Sequence, residues 1–216
     1  MNFDFEVLEK EVKYKLLCAF VAPRPIALVT TLSKDGISNA APFSFFNVFG
    51  DEPAVIILGI QDRPDGRPKD TTKNINDTGE FVVHMVDRPL GRKMVDCSVD
   101  FSPEVDEIAR TGLHLAPSLK VKPGYIVEAP AAMECRLEKT VEYVGRSIIL
   151  GRVVHMRVRD ECIDPETLYV NTNVYHPIAR LHADNYIVSS EQFEIHKPTL
   201  EEYLAQEDSK VSTKSE

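Results

Sequence analysis

No stretch of the 216 residues approaches the roughly 20 consecutive apolar side chains that a bilayer span requires. Met1 to Lys13 mixes polar and acidic residues and lacks the basic start and apolar centre of a secretory signal, so the expected location is the cytoplasm. Basic charge is in short supply: 25 Lys and Arg face 34 Asp and Glu, a formal charge of -9. Such a surface repels nucleic acid and anionic lipid at long range, although a locally basic cleft can still hold a phosphate. Cysteine is sparse as well. Cys18, Cys97, Cys135 and Cys162 are too far apart for a zinc ribbon or a Cys-x-x-Cys redox pair, and are expected as reduced, mostly buried thiols. The six histidines show no metal-binding spacing, so no metal is expected. Gly-x-Ser-x-Gly is missing, which argues against a serine hydrolase, and no Walker or Rossmann glycine pattern supports nucleotide triphosphate use.

The chain has instead an ordinary globular balance, 43% hydrophobic and 27% charged, and a length that favours one core over two. Residues 1–197 are expected as a single domain and 198–216 as a polar, partly disordered tail. Val7, Leu8, Val12, Leu16 and Leu17 suggest a short opening helix that Pro23 and Pro25 end. Pro25 to Leu32 reads as a buried strand, Asp35-Gly36 as a hairpin turn, and Ile37 to Phe43 as the returning strand. The β-branched run in Pro53 to Ile60 predicts a strand buried on both faces. Asp70 to Thr78 reads as a helix with Asp70 or Thr71 as N-cap and Gly79 as its stop. Glu80 to Val86 is the next strand, and Arg88 to Val99 and Pro103 to Thr111 read as helices. Long strands follow over Ala131 to Val144 and Arg146 to Arg159, with one more short strand at Leu168 to Asn171. Six or seven strands with inserted helices, without βαβ alternation, suit a small antiparallel Greek-key barrel.

Three segments carry candidate chemistry. Asn39-Ala40-Ala41-Pro42-Phe43-Ser44 combines small, aromatic and hydrogen-bonding residues, the wall that a flat heteroaromatic ring needs; a core strand running into a Ser/Asn turn reads equally well. Lys69, Thr71 and Asn74 lie at a predicted helix start, where free N–H groups, hydroxyls and a point charge favour an anion; an ordinary capped surface helix fits too. Arg24 stands at the mouth of the first strand, and Thr30 and Thr31 point to opposite faces, so one could meet a ligand. His84 is expected as a satisfied, half-buried strand residue, and His176 and His182 fall in a late loop with no assigned role.

Taken in order, Arg-Pro-Ile-Ala-Leu-Val-Thr-Thr, Asp-Gly, Asn-x-Ala-Pro-Phe-Ser-Phe-Phe, Lys-Asp-Thr-x-x-Asn-Ile and Gly-Glu-Phe-Val-Val resemble the flavin reductase-like, FMN-binding split-barrel family. The resemblance spans roughly Phe20 to Arg159. It implies a mainly β, six-stranded antiparallel Greek-key split barrel, a homodimer, and FMN near the subunit interface. It further implies that Asn39 to Ser44 line the ring and that Lys69, Thr71 and Asn74 hold the phosphate. A flavin reductase using NADH or NADPH is the expected activity. An FMN-dependent electron carrier or a flavin-binding module without nicotinamide activity is the alternative, as is a barrel that has lost its ligand; the acceptor could be another flavin or a partner protein. His182-Ala183-Asp184-Asn185 stands where many family members have glycines, a departure that bears on one side of the pocket.

Overall fold

The computed structural model describes residues 1–99, 101–102 and 107–204. Helix α1 (Lys10–Phe20) leads into β1 (Arg24–Pro25), β2 (Ala27–Leu32), β3 (Ser38–Phe43), β4 (Phe46–Asp51) and β5 (Ala54–Gln61). Helix α2 (Asp70–Thr78) precedes β6 (Glu80–His84), and α3 (Gly91–Asp96) and α4 (Glu107–Thr111) precede the short β7 (Leu115–Ala116) and β8 (Tyr125–Ile126). The long hairpin β9 (Ala131–Tyr143) and β10 (Arg146–Val158) follows, and a small hairpin, β11 (Ile178–Arg180) and β12 (Tyr186–Val188), comes last.

The main sheet has seven antiparallel strands in the order β3-β2-β6-β9-β10-β5-β4. Its two edge strands, β3 and β4, are consecutive in the chain and separated only by Ser44 and Phe45. Such a short link draws the two edges together, and the Gly59 N–H donating to the Phe45 carbonyl at 2.7 Å ties the link to β5. The result is the expected split barrel, with seven hydrogen-bonded strands in place of six because one run bends at Ser44-Phe45 and pairs on both sides. Pro42 is accommodated because β3 is an edge strand, where a missing N–H costs least.

Strand β2 explains its own unbroken apolar run. Val29 packs inside the barrel with Phe46, Leu58, Phe81 and Ile149, whereas Leu28 packs outside against Val86, Leu90, Met94 and Ile126. Both faces are therefore buried. Strand β5 differs from its expectation. Ile56, Leu58 and Ile60 enter the barrel, but Val55 and Ile57 on the other face are only half-buried. The hairpin β9–β10 slips register at Leu150/Gly151, where Gly151 lies against the Phe81 ring; a Cβ there would overlap Phe81 Cζ. Only glycine allows that approach.

Helix α2 matches its predicted span and ends on Gly79 at φ 74, a left-handed position that glycine takes without steric cost. Its N-cap is Lys69, without a side-chain cap, and not Asp70 or Thr71. Strand β4, where the sequence suggests only a turn after Ser44, and the β11–β12 hairpin are additions. Conversely, Leu168 to Asn171 forms no strand, only a single bridge between Ile163 and Val170. The helix expected over Arg88 to Val99 contracts to α3. Of Pro103 to Thr111, residues 107–111 are helical and Pro103 to Asp106 lie outside the described residues, as do the last twelve positions of the expected tail. All four cysteines are buried and unpaired. Among the described residues no helix is long and apolar enough to cross a membrane.

Candidate functional site

Strand β3 leaves the sheet at Phe43, and its end borders three adjoining hollows that share Pro42 and Phe43. The largest, about 850 Å³, runs from Ser44 and Phe45 past Gly59 to Arg63 and Lys69. The second, about 510 Å³, lies between Tyr14 of α1, Met94 of α3 and Arg180 and Tyr186 of the last hairpin. The smallest, about 60 Å³, is polar and sits at the start of α2, bounded by Asn39, Ala41, Lys69, Thr71 and Glu107.

The small hollow has the chemistry of an anion site. The first-turn N–H groups of a helix have no acceptors within the helix and carry the positive end of its dipole. Here they are joined by Lys69, by Arg63 and by the Thr71 hydroxyl. Asn39 Nδ2 donates to Thr71 Oγ1 at 3.1 Å, so the hydroxyl keeps its own proton for another acceptor. Arg63 also holds Asp70 at 2.7 Å. Opposing them is Glu107, whose Oε2 accepts from the Ala40 N–H at 2.8 Å. Burial pushes this carboxyl up to about 7, against the pull of the Ala40 N–H and of Lys69 and Arg63, so it is half-ionised near neutrality.

The structure gathers Asn39, Ala41, Pro42, Phe43, Ser44, Lys69 and Thr71 around these hollows and leaves four other expected residues outside them. Arg24 is buried and spends its guanidinium on the scaffold: Nη1 donates to the Cys18 and Val21 carbonyls at 2.5 and 3.2 Å, Nη2 to the Leu181 carbonyl at 2.9 Å, and Nε to Ser44 Oγ at 3.4 Å. It caps the end of α1 and ties it to the late loop. Thr30 Oγ1 donates to the Gly124 carbonyl at 2.7 Å, and Asn74 Nδ2 donates to Thr31 Oγ1 at 3.1 Å, joining α2 to β2. Ala40 points its methyl into the outer core, and its N–H is held by Glu107.

His84 is hydrogen-bonded as expected, but it lies in the core where half-burial was expected. The ring is fully buried; Nδ1 lies 2.8 Å from the Leu28 carbonyl and Nε2 accepts from the Ile126 N–H at 2.9 Å, which fixes a neutral tautomer protonated on Nδ1. Burial lowers its affinity for a second proton, to about 4. His182 and Asn185 shape the tight loop between β11 and β12, where Ala183 takes φ 48, a conformation better suited to glycine. Tyr14, Arg63, Glu107, Arg180 and Tyr186 were not legible as site residues, because only the closed barrel brings residues 14, 63, 107, 180 and 186 to the same strand end.

A mainly β barrel closed at a two-residue bend, with short inserted helices, is a split barrel. Residues 21–179 match the flavin reductase like domain, and the chain belongs to that family. It is 43% identical over 187 residues to an uncharacterized protein of Aquifex aeolicus, covering 87% of this chain and 95% of that one. Among solved structures it is similar to the 2-nitrobenzoate 2-nitroreductase NbaA of Pseudomonas fluorescens, with a TM-score of 0.85, 36% identity, and coverage of 93% of this chain and 98% of the other. It is also similar to nitrilotriacetate monooxygenase component B of Bacillus cereus, with a TM-score of 0.85, 30% identity, and coverage of 90% and 98%.

Proposed function

We propose that the protein binds FMN across the cleft at the end of β3 and works as a cytoplasmic, homodimeric NAD(P)H-dependent flavin oxidoreductase. The observation that carries this reading is the continuity of the polar hollow at α2 with the groove along Pro42, Phe43 and Ser44. The donor set fits a phosphate: two cationic side chains, a hydroxyl oriented by Asn39, and a helix start. The groove fits a flat ring, because Ala41 and Pro42 project little from the strand.

When bound, FMN supplies a two-electron acceptor for a nicotinamide hydride and a donor for a second acceptor. The chain's own residues bind and orient. Lys69 and Thr71 hold the phosphate end, Asn39 fixes the Thr71 hydroxyl, and Phe43 and Phe45 shield the ring edge from water. Dimerisation is supported by the exposed apolar side chains of the edge strand β4, where Val48 and Phe49 are 67% and 69% exposed. Phe45 directly precedes β4 and lines the cleft, so a second copy seated along this edge would also roof the flavin.

The test has two stages. The purified protein is expected to carry or take up FMN in preference to riboflavin, read by flavin fluorescence, and to oxidise NADH or NADPH in air once FMN is added. Equal affinity for the two flavins would remove the phosphate assignment. FMN binding without nicotinamide oxidation would leave the electron-carrier reading in its place, and a monomer mass in light scattering at micromolar concentration would refute the shared roof.

A further inference from the structure

The 510 Å³ pocket lies on the other side of Pro42 and Phe43 from the phosphate hollow, and its chemistry is different. Tyr14, Pro42, Phe43, Met94 and Tyr186 give it aromatic and apolar walls, and Ser44, Ser98 and Asp184 line it as well. Its size falls within the range of pockets that take small organic ligands. Among the described residues, one permanent cation lines it, Arg180. The guanidinium lies 4.7 Å from the centre of the Tyr186 ring and donates to the Tyr186 hydroxyl, so it is held flat and pointed by an aromatic wall.

The charge partner of Arg180 is weak. Asp184 sits 3.1 Å from Arg180 Nη2, but its side chain is fully exposed. An ion pair with one member in open solvent contributes little, and an incoming carboxylate can take its place. The nearby Arg24 cannot compete for such a ligand, because its donors are spent on the Cys18, Val21 and Leu181 carbonyls and on Ser44. The Tyr14 phenol is kept protonated by burial and by the neighbouring Cys18, so it adds a neutral donor and no charge.

We infer that this pocket is a subsite for a planar aromatic carboxylate, its ring between the Tyr14, Met94 and Tyr186 walls and its carboxylate on the Arg180 fork. The planar fork of arginine matches a carboxylate at two points, which a neutral amide does not reproduce. The inference deepens the flavin reading, since the shared Pro42 and Phe43 place such a ring beside the proposed flavin cleft; binding in the pocket itself does not need the flavin.

The test is calorimetric titration of the full chain with benzoate, benzamide and nicotinamide, once flavin-free and once with FMN added. Benzoate is expected to bind at least about tenfold more tightly than either neutral probe, the difference a charge-assisted pair makes. Arg180→Gln should lose that advantage and bind the neutral probes as before. Asp184→Asn, at a fully exposed side chain, should tighten benzoate about threefold by removing the competing carboxylate and leave benzamide unchanged. Equal binding of benzoate and benzamide, no benzoate binding to the native chain, or benzoate binding indifferent to both substitutions would overturn the subsite. FMN titrated in the same samples separates the two claims: loss of benzoate selectivity with normal FMN binding refutes the subsite alone, whereas an Arg180-dependent benzoate site in a chain that ignores FMN refutes the flavin reading alone.

Discussion

Glu107→Gln removes a carboxyl that opposes an anion in the α2 hollow, where the neighbouring Asp70 is already paired with Arg63. The glutamine can still accept from the Ala40 N–H through its carbonyl, so the local hydrogen bond survives and only the charge is removed. With Glu107 near 7, the side chain is about nine-tenths neutral at pH 6 and about nine-tenths ionised at pH 8. Unit charges about 8 Å apart at an effective dielectric of about 20 repel by roughly 2 kcal/mol, and the partial exposure of the group reduces this to about 1. There is also a ceiling. At pH 8 the carboxyl can take up a proton instead, which costs about 1.4 kcal/mol when the medium lies one pH unit above its midpoint. FMN is therefore expected to bind Glu107→Gln about five- to tenfold more tightly than the native protein at pH 8, and within about twofold at pH 6. Fluorescence titrations of both proteins at both pH values give the ratio directly. Taking that ratio cancels the second ionisation of the phosphate, near pH 6, which affects both proteins alike. Riboflavin, lacking the phosphate, should show a flatter ratio. A Glu107→Gln to native ratio that is the same at pH 6 and pH 8 refutes the placement of the phosphate beside Glu107.

Lys69→Ala should weaken FMN by about 1.5 to 3 kcal/mol without lowering the melting temperature of the flavin-free protein, because the side chain fills no core space; unchanged FMN affinity would sink its role. Ala41→Leu should abolish FMN binding with little change in the flavin-free melt, and a lowered melt with normal binding would mark Ala41 as a packing residue. Gly151→Ala forces a Cβ against Phe81 and should cost about 1 to 3 kcal/mol in urea denaturation, with FMN affinity per folded molecule unchanged. His84 holds its folded value below the ordinary 6.5, so its contribution is complete above that pH and is lost as the pH falls through about 4. His84→Gln should flatten that part of the stability profile, and an acid limb identical to the native one would show that other groups cause it.

What could be read in advance depended on whether a signal was local. The apolar run of β2 and the span of α2 were legible because burial on both faces of a strand writes a continuous run, here Ala27 to Val29, and because Gly79 punctuates the helix. Strand β4 was not: Phe46–Asp51 contains a glycine and ends on an aspartate, and it is a strand because β5 pairs with it. The site shows the same division. Asn39 to Ser44, Lys69 and Thr71 border the hollows, where residue type and position in the chain pointed, except that Ala40 turns into the core. Arg24, Thr30 and Asn74 have the polar character of ligand contacts, yet each turns its donors inward to backbone or to a neighbouring strand. Residue type announces that a side chain needs a hydrogen bond; it does not say whether a ligand or the scaffold provides it.

The Arg24–Leu181 contact joins residues 157 positions apart and has a consequence for the order in which the molecule matures. As the chain leaves the ribosome, the phosphate hollow has all its parts once Glu107 has emerged, and the seven-stranded sheet is complete at Val158. Arg24 still waits for the Leu181 carbonyl, and the aromatic pocket waits for Arg180 and Tyr186. A nascent chain halted after β10 thus contains every strand of the main sheet and the lining of the α2 hollow, but lacks the Arg180, Asp184 and Tyr186 wall of the second pocket and the carbonyl that fastens Arg24 to the late loop. The residues of the proposed cofactor site are all translated before those that finish the neighbouring subsite, which waits for the last hairpin.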